Sequence, residues 1–72
     1  MTLKERKIFL QVDMMYYLIK RWGISLNEFL DLDERYNILR LLRLGYEPFH
    51  LTGDEGIALE VEKHIKECGG RV

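Results

Sequence analysis

Apolar residues recur along this chain at the three- and four-residue intervals of amphipathic helices. Thr2 and Glu5 have capping-box spacing, in which hydroxyl and carboxylate satisfy each other's orphan backbone donors, and they predict a helix running to Trp22, with Gly23 as a left-handed stop. On that helix Ile8, Val12, Met15, Ile19 and Trp22 form one stripe, widened by Phe9, Tyr16 and Leu18, and this is the expected core face. Ser25 and Glu28 repeat the box, and Ile24 with Phe29 has the spacing of a hydrophobic staple, so a short helix over Leu26–Leu30 follows. The acids of Asp31-Leu-Asp-Glu34 suit another helix N-terminus, predicting a third helix over Leu32–Leu44 that stops at Gly45. Its inner face would carry Leu32, Tyr36, Leu39 and Leu42, with Ile38 on the margin. A strand over ILRLLRL is disfavoured by the cap before it, its leucine content and its lack of alternation.

The segment from Gly45 to Ile57 separates this helical region from a terminal helix, and its geometry should set how the two pack. It holds the single proline, Pro48, which disfavours helix at Glu47 and turns the chain. Thr52-Gly-Asp-Glu55 is a further capping box, making Thr52, Gly53 and Glu55 structural loop residues. The helix they open ends near Cys68, with Ile57, Val61, Ile65 and Cys68 on its apolar edge and His64 beside them. Glu60, Glu62, Lys63, Lys66 and Glu67 occupy the outer face, and Arg71 and Val72 are expected to fray. The expectation is a single all-α domain over residues 1–72, a small bundle of four helices, one of them short.

Not every apolar residue fits such a bundle. Leu10, Met14 and Tyr17 fall on the far side of the first helix, and Leu41, Leu44 and Leu59 lie off the other stripes. Tyrosine, methionine and arginine are favoured at protein interfaces, so Leu10, Met14, Tyr17, Leu41 and Leu44, rimmed by Arg40 and Arg43, form a candidate contact with another chain. The alternative is a wrapped core that uses more than one face of the first helix. At 72 residues a single core rarely contributes more than about 3–5 kcal/mol, and association would add what it lacks.

Composition narrows the classes. An apolar fraction of 47% is that of a folded domain. A formal charge of −1 argues against nucleic acid as the main partner. The lone cysteine, Cys68, excludes an internal disulfide framework and fits a reducing compartment. No signal peptide or membrane span is visible, so a cytoplasmic location is expected.

The candidate chemistry is thin. His50 and His64 titrate near neutrality, and His64-x3-Cys68 places a ring and a thiol on one helical face, but no CxxC or HExxH accompanies them. No metal and no cofactor is expected. Cys68 at a helix C-terminus faces the negative end of the dipole, which opposes a reactive thiolate. The acids Asp31, Asp33 and Glu34 read as a solvated cap, and Thr52-Gly-Asp-Glu55 carries acids where a phosphate cradle needs a cation. No catalytic residues are assigned, and the chain is not expected to be an enzyme. A helix-turn-helix reading would use Arg40 and Arg43 of the third helix, but Leu41 and Leu44 would then lie among the DNA contacts.

The run from Ile38 to Ile65, with Tyr46, Phe49, His50, Gly53, Ile57, Val61 and Ile65 at the matching positions, resembles a family of small bacterial proteins, domain-of-unknown-function family 3791. Ser25-Leu-Asn-Glu-Phe29 looks like that family's second-helix start. The resemblance implies a small helical protein with no assigned activity, often encoded beside a protein similar to an ADP-ribosyltransferase, and by analogy a partner or antidote role. Pro48 and Leu51 depart from the usual pattern. His50 reads as a loop residue whose ring bonds backbone and covers the core edge. The expected function is therefore a protein-interaction module, a homodimer or a regulatory partner of a larger protein, with a small helical nucleic-acid binder as the alternative.

Overall fold

In a computed structural model of the protein, which describes residues 1–70, the chain forms five helices and no strand among those residues. Arg71 and Val72, expected to fray, lie outside the described residues. Helix α1 spans Leu3–Trp22, α2 Leu26–Tyr36, α3 Ile38–Leu44, α4 Tyr46–Phe49 and α5 Asp54–Glu67. Four of the five are seven residues or longer.

The first two helices begin where their caps predict. The Glu5 N–H donates to Thr2 Oγ1 at 3.2 Å, and the Thr2 N–H donates back to the Glu5 carboxylate at 3.2 Å. Ser25 and Glu28 make the same exchange at 3.1 and 2.9 Å. Between them Gly23 takes the left-handed conformation at φ 64°, so α1 stops at Trp22.

The middle of the chain differs from expectation. The run Asp31–Glu34 opens no new helix, because the short helix expected over Leu26–Leu30 continues to Tyr36. The break falls at Asn37, which adopts φ 53° and ψ 48°, a conformation asparagine tolerates better than most residues. Asp33 holds both sides of it. Its carbonyl accepts the Asn37 N–H at 2.8 Å, and its carboxylate accepts the Leu39 N–H, otherwise an orphan donor of α3, also at 2.8 Å. The break re-aims the chain so that Ile38, expected at the margin, is fully buried with Leu42. Replacing Asn37 with alanine should therefore cost about 1 kcal/mol in urea denaturation, while glycine at the same position should cost nothing measurable.

Pro48 also behaves differently from expectation: it is the third residue of α4 rather than a helix terminator. A first helical turn has no intrahelical partner for that N–H, so the missing donor costs nothing there. Gly45 joins α3 to α4 at close quarters, since a Cβ there would sit 2.6 Å from the Phe49 ring. The capping box expected at Thr52 does not form. The N-cap of α5 is Gly53 without a side-chain bond, and the Thr52 hydroxyl donates instead to the Pro48 carbonyl at 2.9 Å.

The core gathers Met14 and Leu18 of α1, Phe29 of α2, Ile38 and Leu42 of α3, Tyr46 of α4, and Ile57, Ala58, Val61 and Ile65 of α5. Helix α1 packs on α2, α3 and α5. Its 20 residues make a rod of about 30 Å, close to the molecule's 33 Å long dimension. Shorter helices cover one side of this rod, and the other side stays open along its length.

Candidate interaction surface

The open side of α1 is not the one expected. Met14, assigned to a surplus outer stripe, has no exposed surface and sits in the core beside Leu18. Leu10 and Tyr17 are half-buried and pack against that core. Met15, Ile19 and Trp22 of the expected core stripe are half-buried as well, but Ile8 and Val12 are 48% and 40% exposed. Phe9 and Tyr16, assigned to widen the core face, are 53% and 63% exposed. The buried face is thus rotated by about a quarter turn from the expected one. The opening helix does carry two apolar faces, and the outward one consists of Ile8, Phe9, Val12 and Tyr16.

Polar side chains lock this rotation. Gln11 donates its amide to the Leu39 carbonyl of α3 at 2.7 Å. At the other end of α1, the Trp22 indole N–H donates to the Glu62 carboxylate of α5 at 2.8 Å. Arg21 reaches the same carboxylate through Nε at 2.8 Å and a terminal nitrogen at 3.3 Å. Trp22 also stacks on Phe29, with ring centroids 6.4 Å apart. Held first by Arg21 and then by the Trp22 indole, against the opposing effect of burial, the Glu62 carboxyl titrates below the ordinary glutamate value of 4.5.

A depressed carboxyl stabilises the fold above its unfolded pKa and loses that contribution as pH falls through the folded value. Glu62→Gln should cost about 1 kcal/mol at neutral pH, since the ion pair is partly exposed. Urea midpoints measured between neutrality and pH 3 should fall less steeply in the variant than in the natural chain. Parallel curves would remove Glu62 as the source of acid sensitivity.

The remaining residues of the expected interface are dispersed. Leu41 is half-buried against the core, whereas Leu44 is 68% exposed. Arg40 lies with Leu41, Leu44, Asn37 and His64 around a shallow groove of about 260 Å³. Arg43 lines a different groove, of about 450 Å³, with Leu3, Lys4, Lys7, Ile8 and Gln11. The two arginines, three residues apart on α3, line separate grooves.

The histidines are occupied by backbone. The His64 ring donates from Nε2 to the Tyr36 carbonyl at 2.7 Å, tying α5 to the C-terminus of α2. His50 is exposed, its Nδ1 lies 3.0 Å from the Tyr46 carbonyl, and its ring stacks on Tyr46 at 4.8 Å. Thr52, Gly53 and Glu55 lie exposed around the start of α5, and Cys68 is an exposed free thiol. No group of three or more histidine, cysteine or carboxylate side chains suited to a metal ion occurs among the described residues. None of their helices is long and apolar enough to cross a membrane.

The outward face of α1 was legible in one respect. Asp13 and Lys20, the charges of its middle and later turns, project beside Phe9 and Tyr16 rather than beside Leu18. They mark the wet side of the helix. No family model, curated protein or solved structure matches the chain.

Proposed function

We propose that this protein is a protein-interaction module that works by burying the outward apolar face of α1. The supporting observation is the contiguous exposure of Ile8, Phe9, Val12 and Tyr16 along the longest helix. Two half-exposed aromatics and two half-exposed aliphatics offer roughly 400 Å² of apolar surface, the size of a patch that on small proteins is often functional. Hydrophobic burial would drive the contact at about 25 cal/mol per Å² before the costs of association are subtracted. A partner or antidote role beside a larger protein, as the family resemblance implies, is one form of this function. Nucleic-acid binding through Arg40 and Arg43 has less support, because the formal charge of the chain is −1.

The test is a comparison of the immobilised chain with its Tyr16→Glu variant in an extract of the source organism and in self-association. Tyr16 is exposed, so the variant should keep its helix content while losing whatever the natural chain retains. Identical binding by both would refute the role of this face.

A further inference from the structure

We infer that the occupant of this face is a second copy of the chain, its α1 lying antiparallel to the first about a two-fold axis near residue 14. The inference rests on the interaction reading above and goes further by naming the partner. Phe9, Val12, Tyr16 and half-buried Ile19 follow one another at spacings of three, four and three residues, the interval of a seam between two packed helices.

That spacing reads the same in both directions. An antiparallel pairing sets Phe9 against Ile19 of the second copy and Val12 against Tyr16 of the second copy. Each layer then joins an aromatic to a β-branched aliphatic, and the layers have similar volumes. A parallel pairing would stack Tyr16 on Tyr16 and Val12 on Val12, leaving one layer overfull and the next underfilled. The two-fold arrangement is also the commonest closed symmetry, using one patch twice.

Area supports the same occupant. Two faces of roughly 400 Å² bury about 800 Å², and the stems of Glu5, Arg6, Asp13 and Lys20 along the edges raise this to about 1,000 Å², where specific interfaces begin. The contact would be a modest one, dissociating on dilution. Asp13 is the flanking residue nearest the axis, whereas Lys20 lies well away from it along the helix.

Sedimentation of the full chain from micromolar to near-millimolar concentration should show a monomer–dimer equilibrium. Tyr16→Glu should weaken it roughly 30-fold or more with unchanged circular dichroism. In a Cys68→Ser background, Asp13→Cys should be joined to its own copy by a short bis-maleimide, and Lys20→Cys should not. The pairing is overturned by a chain that stays monomeric, by a dimer indifferent to Tyr16→Glu, or by Lys20→Cys cross-linking as readily as Asp13→Cys. A monomer that still retains an extract protein, lost on Tyr16→Glu, sinks the self-pairing and leaves the interaction reading standing. A monomer that retains nothing sinks both.

Discussion

Phe29→Ala should leave the chain largely unfolded at 25 °C. Phe29 has no exposed surface, is among the largest side chains in the core, and stacks against Trp22. Truncating a fully buried phenylalanine removes its transfer free energy and leaves a cavity that the surroundings fill only partly, a combined cost of about 3–5 kcal/mol. A core of this size contributes about the same amount in total. The loss should also weaken the tie between α1 and α5, because Trp22 is oriented both by Phe29 and by the Glu62 carboxylate. The expected result is a large fall in far-ultraviolet circular dichroism and no cooperative urea transition. A variant that melts cooperatively near the natural midpoint would mean that the site collapses around the missing ring.

Met14→Glu should be nearly as severe, and it decides which face of α1 is inside. Met14 is buried beside Leu18 and offers an introduced carboxylate no partner, since no polar or charged residue is buried among the described residues. Ionising a group there costs several kcal/mol, which the fold avoids by keeping it protonated or by opening. Burial raises the carboxyl's folded-state pKa above its unfolded value, so folding regains stability as pH falls through the raised value and loses it as pH rises. The variant should therefore be unfolded at neutral pH and recover part of its helix content on mild acidification. Its pH response is opposite in sign to that which Glu62 imposes on the natural chain. Tyr16→Glu, the same acid placed two residues away on the exposed face, should remain folded at both pH values. Circular dichroism of the two variants across pH separates the alternatives, because full helicity of Met14→Glu at neutrality would put the outward face where the sequence alone placed it.

These paired substitutions also show where a reading of the residues runs out. Local chemistry was legible: the Thr2–Glu5 and Ser25–Glu28 boxes and the Gly23 stop are made by residues within four positions of one another. Their bonds form whenever the backbone turns there. The third expected box failed because α5 starts one residue later, with Gly53 rather than Thr52 at its N-cap, while the Thr52 hydroxyl donates to the Pro48 carbonyl at 2.9 Å. The displaced helix break has a similar origin. The expected boundary was Asp31–Glu34, whereas the carboxylate of Asp33, accepting from Leu39 across Asn37, supports the later break.

The opening helix differs. Helix α1 has more apolar residues than one side can bury, and periodicity counts them without ranking the stripes. Asp13 and Lys20 carried a directional signal, but two charges on an apolar stretch of about four turns are easily outweighed by five aligned apolar positions. The bond from Gln11 to the Leu39 carbonyl and the bond from Trp22 to Glu62 join residues 28 and 40 positions apart. No local pattern predicts such pairs.

By itself, then, the sequence determined that the chain is helical, where its first two helices begin, and that its opening helix has two apolar faces. Those properties follow from interactions spanning one or two helical turns. Only the tertiary structure decided which face turns inward and where the middle of the chain breaks. The physical reason is that a helix with apolar side chains nearly all round has little energetic preference for its own rotation. The preference comes from the volumes and polar groups of α2, α3 and α5, which meet α1 only once the chain has folded back upon it.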